Sequence, residues 1–195
     1  MIIYPKIYLE NVTKISDKII NENEIKGIIL DVDNTLLYYN REMLKDVDIW
    51  CNNLKENGIK FCIVSNSNKK DKIKMIAEKL QIPYISFGMK PLKFGLKKAQ
   101  KIIGLDSKNI AVVGDQIFTD VIGANRCKMF SILVKPLEEK DIFITKIKRP
   151  IENAVIKKYV KQEEEKINVH KWYSYCLLYN IWITRCRCSD NLLIG

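Results

Sequence analysis

The sequence predicts an α/β fold: a doubly wound, Rossmann-like sheet of five parallel strands with helices on both faces. The main observation is that short aliphatic runs alternate with segments of helical spacing from residue 25 to about residue 135. Repeated strand–helix–strand order is typical of a parallel sheet covered on both sides. The chain has 195 residues, 47% of them hydrophobic and 29% charged, which suits one soluble domain with a substantial core.

The five strands are predicted from runs that are short, aliphatic and rich in β-branched residues. In chain order they are "IKGIIL" (25–30), "IKFCIV" (59–64), "IPYISF" (82–87), "IAVVG" (110–114) and "FSILV" (130–134).

Three helices are predicted between these strands, over residues 41–57, 68–80 and 91–103. The first ends at Gly58, the second ends before Pro83, and the third ends at Gly104. Glycine just past a helix and proline near a helix boundary are the expected terminal residues.

Charge and hydropathy limit the classes of protein. The net charge of +10 favours acidic partners, which include nucleic acid, anionic lipid headgroups and phosphorylated substrates. The start "MIIYPKIYLENVTK" carries Pro5 and charges where a signal peptide would be apolar, and no apolar run reaches the roughly 18–20 residues of a membrane span. We therefore expect a cytoplasmic protein, peripheral to a membrane at most. In that setting the six cysteines would be reduced, and Cys51, Cys62 and Cys127 are expected in the core.

Polar residues follow four of the predicted strands at the point where each strand ends. The carboxyl ends of parallel strands meet in one crevice, so these residues are expected to share a pocket. They are Asp31 and Asp33, Ser65 and Asn66, Lys90, and Asp115 with Asp120 one helical turn later.

This set of side chains suits phosphoryl transfer. Asp31 can act as an exposed carboxylate nucleophile, and Asp33 can exchange a proton with the leaving group and with water. Clustered carboxylates need a cation, and Mg²⁺ prefers oxygen ligands that it can share with phosphate. A simpler interpretation remains open, in which the two aspartates sit in a solvated turn that caps a helix at Asn34 or Thr35.

The motifs "DVDNT", "VSN", "MKP" and "GDQIFTD" together resemble the four ordered motifs of the haloacid-dehalogenase (HAD) phosphatase superfamily. "VGDQIFTDVIGANR" and the downstream "FITKIKRPIE" resemble more closely the YqeG family of subclass IIIA HAD phosphatases. The mitochondrial-type phosphatidylglycerophosphatases are relatives of that family. The resemblance covers residues 25–150 and implies that they form a HAD-like phosphatase domain.

The resemblance also implies roles for individual residues. Asp31 would be the nucleophile, and Asp33 would be the acid/base with its backbone carbonyl on Mg²⁺. Ser65, Asn66 and Lys90 would bind the phosphoryl group, while Asp115 would bind the metal directly and Asp120 directly or through water.

Spacing between the motifs indicates an open site. Only one helix fits between Asp33 and Ser65, and one helix and a strand fit between Ser65 and Lys90, so we expect no cap domain. The expected function is therefore Mg²⁺-dependent hydrolysis of a phosphomonoester, favoured on a phosphatidylglycerophosphate-like lipid. The alternatives are a phosphatase for a nucleotide, sugar phosphate or phosphoprotein, and a non-catalytic phosphate-binding or scaffold protein.

Outside this domain the sequence predicts three further segments. Residues 1–24 are expected as an N-terminal extension that packs on the core. Residues 151–166 are expected as a basic helix, and the basic segment 146–161 as a contact to an anionic membrane surface. Residues 167–195 form an aromatic and cysteine-rich tail of unknown role, in which His170, Cys176, Cys186 and Cys188 match no common zinc spacing. The sequence contains no helix-turn-helix, zinc-finger or RNP-type motif that would indicate a nucleic-acid-binding module.

Overall fold

The computed structural model describes residues 2–138, 150–152, 154–162 and 164–165. The chain divides into two compact units, Met1–Glu152 and Asn153–Gly195. Residues 154–162 and 164–165 of the second unit are helical, and Lys157, Lys158 and Lys161 there are exposed. The remaining basic residues of the segment 146–161 (Lys146, Lys148 and Arg149) and the tail 167–195 lie outside the described residues.

The first unit is built on a six-stranded, entirely parallel sheet with the order β1-β6-β5-β2-β3-β4. This arrangement confirms the doubly wound α/β class. The strands are β1 (Ile7–Leu9), β2 (Gly27–Leu30), β3 (Lys60–Val64), β4 (Tyr84–Ile85), β5 (Ile110–Gly114) and β6 (Phe130–Val134).

The prediction of five strands was one short, because β1 lies in the segment expected as an N-terminal extension. Its residue Ile7 pairs with Ile132 of β6, and the Lys6 N–H donates to the Ser131 carbonyl at 2.9 Å. All three residues of β1 are only half-buried, as is common at a sheet edge. A three-residue edge strand without an aliphatic run carries too weak a pattern to be recognised in the sequence.

Helices cover both faces of the sheet. On one face α1 (Asp17–Glu22), α2 (Val47–Glu56) and α3 (Lys70–Leu80) share a core with the side chains of Ile28 and Leu30. On the other face α4 (Lys93–Ile103) and α5 (Ile122–Arg126) pack around Ile29. Successive residues of a strand point to opposite faces, so the all-aliphatic β2 supplies both cores.

Helix α2 begins six residues later than predicted. The segment before it forms a short antiparallel bridge between Leu37 and Met43, and the Leu44 N–H donates to the Leu36 carbonyl at 2.8 Å. Asp46 then adopts a left-handed conformation (φ 62°), which ends the bridge and starts the helix. The helical spacing of residues 41–46 was overridden by these tertiary hydrogen bonds. No helix starts at Asn34 or Thr35, so the capping interpretation of the aspartate pair does not apply.

The three described cysteines, Cys51, Cys62 and Cys127, are free and buried, as expected for core residues. Burial raises the pKa of Cys51 to about 11 and that of Cys62 to about 12. These thiols therefore stay protonated near neutral pH and are poor nucleophiles. Among the described residues, no helix has both the length and the apolar character needed to cross a membrane.

The sheet reverses its direction of growth between β2 and β5. Leu30 at the end of β2 pairs with Ile63 of β3 on one side and Val113 of β5 on the other. The residues that follow these three strands therefore emerge side by side at one edge, at the topological switch point where α/β sheets bind ligands.

Candidate active site

Two aspartates lie at the switch point. Asp31 directly follows β2, and its N–H donates to the Val113 carbonyl of β5 at 2.9 Å. Asp115 directly follows β5. Both residues are buried, with 7% and 2% exposure, so Asp31 is less accessible than the exposed nucleophile expected from the sequence. The sheet itself fixes the two carboxylates next to each other, away from bulk water.

Lys90 joins the cluster from the loop between β4 and α4. Its ammonium group donates to Asp31 Oδ1 and to Asp120 Oδ1, each at 2.6 Å. The Lys90 side chain is 2% exposed, so both ion pairs are shielded from solvent. A buried lysine needs such partners, since burial of an isolated ammonium is strongly unfavourable.

Asp120 lies on a single π-helical turn, Ile117–Val121, of the kind often found at functional sites. Its Oδ2 accepts from the Gln116 N–H at 3.2 Å and from the Thr119 hydroxyl at 3.1 Å. Gly114 makes this position possible, because a Cβ on Gly114 would lie 2.7 Å from the Asp120 Cβ. Any side chain at 114 would push the Asp120 carboxylate away from the strand end.

The acidic residues are arranged as a divalent cation would require. One ligand atom each from Asp31, Asp115 and Asp120 lies within 4.8 Å of the others. With Lys90 as the buried counter-charge, three ionised carboxylates would leave two net negative charges in the site. Carboxylate oxygens around that excess charge fit Mg²⁺.

The electrostatics of the cluster follow from burial. Burial raises the pKa of Asp31 to about 7; Lys90 opposes this shift, while the charges of Asp120 and Asp33 add to it. Burial alone would lower the pKa of Lys90, but the Asp120 and Asp31 carboxylates raise it overall. The lysine therefore remains charged, and Asp31 is the member of this pair that can change protonation near neutral pH.

Ser65 and Asn66 follow β3 as predicted, but they have different partners. The Ser65 hydroxyl is buried and accepts from the Ser67 N–H at 3.1 Å. Asn66 Oδ1 accepts from the Lys90 N–H at 2.7 Å, and Asn66 Nδ2 donates to the Lys90 carbonyl at 2.8 Å. Asn66 thus positions the backbone of Lys90, whereas the prediction gave it a contact to phosphate.

Asp33 lies at the outer side of the cluster, with its side chain 46% exposed. It forms a short ion pair with Lys72 of α3, whose side chain is only 13% exposed. Sequence reasoning missed Lys72, which looks like one of several surface lysines on α3. A lysine in the first turn of a helix faces the unfavourable end of the helix dipole, but Lys70 shares that placement, so the sequence offered no signal specific to Lys72.

Comparison with known proteins finds a matching phosphatase family and a similar bacterial protein. The family model described as "Mitochondrial PGP phosphatase" matches residues 1–137. A protein named "Probable phosphatase YqeG" from Bacillus subtilis is 37% identical over 153 residues, which cover 78% of this chain and 88% of that protein.

Two further matches are more distant. "Phosphatidylglycerophosphate phosphatase 1, chloroplastic/mitochondrial" from Arabidopsis thaliana is 24% identical over 170 residues, which cover 82% of this chain and about half (49%) of the plant protein. The crystal structure of an uncharacterized protein from Listeria monocytogenes serotype 4b aligns with a TM-score of 0.49 and 19% identity. The alignment covers 60% of this chain and 85% of the Listeria chain.

The raised pKa of Asp31 predicts how stability depends on pH in the absence of metal. Between the ordinary carboxyl pKa of 3.8 and about 7, the folded chain keeps a proton on Asp31 that the unfolded chain has lost. The contribution of this group to stability therefore falls as pH rises through that range. Asp31→Asn lacks this loss, so in EDTA we expect the variant to melt above the wild type at pH 8 and the difference to shrink at pH 5.5.

Thermal melts of both proteins at the two pH values check this prediction, and titrating groups remote from Asp31 cancel because the two proteins share them. A melting-temperature difference that is independent of pH would contradict the raised pKa of Asp31.

Proposed function

The chain belongs to the mitochondrial PGP phosphatase family and is a phosphatase of the HAD type, and we propose that it hydrolyses a phosphatidylglycerophosphate-like lipid with Mg²⁺ as its cofactor. We further propose that the reaction passes through a phosphoryl group on Asp31. The observation that carries the proposal is the buried cluster of Asp31, Asp115 and Asp120, two of which (Asp31 and Asp120) also pair with the Lys90 ammonium group.

Asp31, Asp115 and Asp120 would hold the metal, with Asp120 binding it directly or through water and the backbone carbonyl of Asp33 as a further ligand. When bound, Mg²⁺ supplies positive charge that offsets the carboxylates and the incoming phosphate. Lys90 supplies a second, permanent positive charge beside the nucleophile. Its role is to neutralise charge that develops on the transferring phosphoryl group.

In the first half-reaction the Asp31 carboxylate attacks phosphorus, and the bond from phosphorus to the alcohol oxygen breaks. Asp33 gives its proton to that oxygen, so the alcohol leaves neutral. In the second half-reaction Asp33 takes a proton from water as the water attacks the phosphorus of the aspartyl-phosphate. Inorganic phosphate leaves, and Asp31 and Asp33 return to their starting states.

Ser65 and Lys90 are proposed to hold the phosphoryl oxygens. The Ser67 N–H that donates to the Ser65 oxygen orients the hydroxyl, so that its hydrogen can be donated to phosphate. Asn66 acts one step further away by fixing the Lys90 backbone on both its N–H and its carbonyl.

Two observations support a lipid substrate. The matched family is described by this activity, and the plant relative carries phosphatidylglycerophosphate phosphatase in its name. In addition, only the short Leu37–Met43 bridge, α2 and β3 separate Asp33 from Ser65, and only α3 and β4 separate Ser65 from Lys90. With no inserted domain in these connections, a headgroup can reach the site from a surface. The exposed Lys157, Lys158 and Lys161 are proposed to favour an anionic membrane as that surface.

Phosphate release tests this proposal, using vesicles that contain phosphatidylglycerophosphate, a nucleotide, a sugar phosphate and a phosphopeptide. We expect release from the lipid well above the other substrates with Mg²⁺, and its loss in EDTA. Asp31→Asn should reduce release by more than about a thousandfold, because the nucleophile is removed. Asp106→Asn is the matched control. Asp106 is exposed and lies before β5, at the end of the strands opposite the site, so its substitution should leave the rate unchanged.

Each part of the proposal has its own contradicting result. Release from soluble esters alone would overturn the lipid substrate. Undiminished release in EDTA would overturn the metal requirement, and wild-type rates in Asp31→Asn would overturn the nucleophile.

The ion pair between Lys72 and Asp33 predicts a second effect on turnover. Lys72→Met frees the Asp33 carboxylate from its fixed orientation, and we expect kcat on a soluble phosphomonoester to fall about tenfold with little change in KM. Lys74→Met on the same helix is the control, since Lys74 pairs with Glu78 on the surface and both side chains are more than half exposed. Steady-state kinetics of the two variants test this prediction. Equal kcat values for Lys72→Met and Lys74→Met would show that Lys72 does not position Asp33.

A further inference from the structure

Four large apolar side chains are exposed beside the active site. Phe87 and Phe94 are each 61% exposed, Leu92 is 52% exposed and Met89 is 36% exposed. We refer to these four residues as the apolar rim. Single exposed apolar residues are common, but four within eight positions form a patch that calls for a partner.

The backbone holds the apolar rim together. Phe87 and Met89 both adopt left-handed conformations, with φ of 55° and 53°, which bulky residues rarely do. Between them the Gly88 N–H donates to the Ser65 carbonyl at 2.8 Å. Strained conformations of this kind persist only where the surrounding structure imposes them, and they often mark functional segments.

A contact between glycines joins the loop to α4. A Cβ on Gly95 would lie 2.7 Å from the Gly88 Cα, so the two backbones touch directly. Phe87 and Met89 flank the first glycine, and Phe94 precedes the second. The contact therefore brings the backbones of these three apolar residues into one small region, with Leu92 in the turn between them.

The charged residues near the apolar rim in sequence are all lysines. Residues 79–105 contain six lysines and no aspartate or glutamate. Lys93, Lys97 and Lys98 of α4 are exposed and follow the rim in sequence. Apolar side chains bordered by lysines are typical of segments that lie in the interface of an anionic membrane.

The apolar rim is also continuous with the catalytic cluster. Lys90 lies between Met89 and Leu92 in sequence, while its ammonium group points inward to Asp31 and Asp120 at 2.6 Å. Whatever docks on the rim is therefore brought next to the carboxylate that we assign as nucleophile.

We infer that the apolar rim inserts into the headgroup region of an anionic lipid bilayer and presents the active site to its substrate there. This inference rests on the proposed lipid phosphatase function and is separate from the basic segment 146–161. A second copy of the chain is a poorer occupant, because a symmetric contact through this patch would place both sets of lysines against each other. A bilayer offers an apolar interior for the four side chains and negative charge for the lysines.

Vesicle co-sedimentation of the full chain tests the inference, using phosphatidylcholine vesicles with and without phosphatidylglycerol. The test variant combines Phe87→Asn, because asparagine tolerates the left-handed conformation, with Phe94→Gln. The control variant combines Ile49→Gln and Met75→Gln, two exposed apolar residues of α2 and α3 on the other face of the sheet.

We expect the wild type and the control to bind the anionic vesicles, and the test variant to bind them at least about tenfold more weakly. Hydrolysis of p-nitrophenyl phosphate should be the same in all three proteins, which shows that the fold and the catalytic cluster are intact. Hydrolysis of phosphatidylglycerophosphate in vesicles should fall in parallel with binding.

Equal vesicle binding by the test variant and the wild type would overturn the inference and leave the proposed function standing. Failure of the wild type to bind vesicles, together with a dimer in solution that the test variant dissociates, would overturn it in favour of self-association. Binding that requires the rim without any hydrolysis of the lipid would support docking and overturn the proposed substrate instead.

Discussion

The structure of the site depends on one buried charge imbalance, in which three clustered carboxylates share a single ammonium group that pairs with two of them. Asp31 and Asp115 come from adjacent parallel strands, Asp120 from a π-helical turn, and Lys90 from a loop beyond β4. Each like-charged pair costs free energy when buried, and an unpaired buried charge costs on the order of several kcal/mol. The fold tolerates this arrangement because the sheet fixes two of the acids and Gly114 leaves room for the third. The remaining negative charge is what a divalent cation would offset, and that cation together with Lys90 would attract an anionic phosphate ester.

Much of this could be predicted from the sequence. The β2 run ends on Asp31 and the β5 run ends on Gly114 and Asp115, and parallel strands place such ends together whatever the loops do. The other features depend on tertiary contacts that have no local pattern. Strand β1 is held by pairing to β6, and the start of α2 is delayed by the Leu37–Met43 bridge.

For the side chains too, positions could be predicted from the sequence but contacts could not. The position of Asn66 after β3 was predictable, but its two hydrogen bonds to the Lys90 backbone depend on a loop that lies 24 residues away. Lys72 was not recognisable because α3 is rich in lysine, and only the approach of Asp33 distinguishes it from its neighbours. Sequence patterns thus located the polar residues of the candidate site, while the contacts that hold those residues in position required the structure.

Lys90 lies in a short loop that has one buried, charged side and one exposed, apolar side. Its ammonium group is buried among carboxylates, while the residues on either side of it expose large apolar side chains to solvent. Hydrogen bonds from Asn66 and the contact between Gly88 and Gly95 keep the loop in this conformation. Under our proposals the same loop would stabilise the transferring phosphate and bring the lipid to it.

Asp31 is proposed to carry the phosphoryl group during the reaction, and the most direct test is to detect the phosphorylated Asp31 side chain. Asp33→Asn should slow hydrolysis of the aspartyl-phosphate, so the intermediate should accumulate in this variant. The variant would be mixed with substrate and Mg²⁺, quenched in acid, reduced with borohydride and digested for mass spectrometry. Reduction converts an aspartyl-phosphate to homoserine, and we expect homoserine at position 31 only when substrate and Mg²⁺ are both present. Homoserine at another aspartate, or unmodified Asp31 in a variant that still turns over, would contradict it.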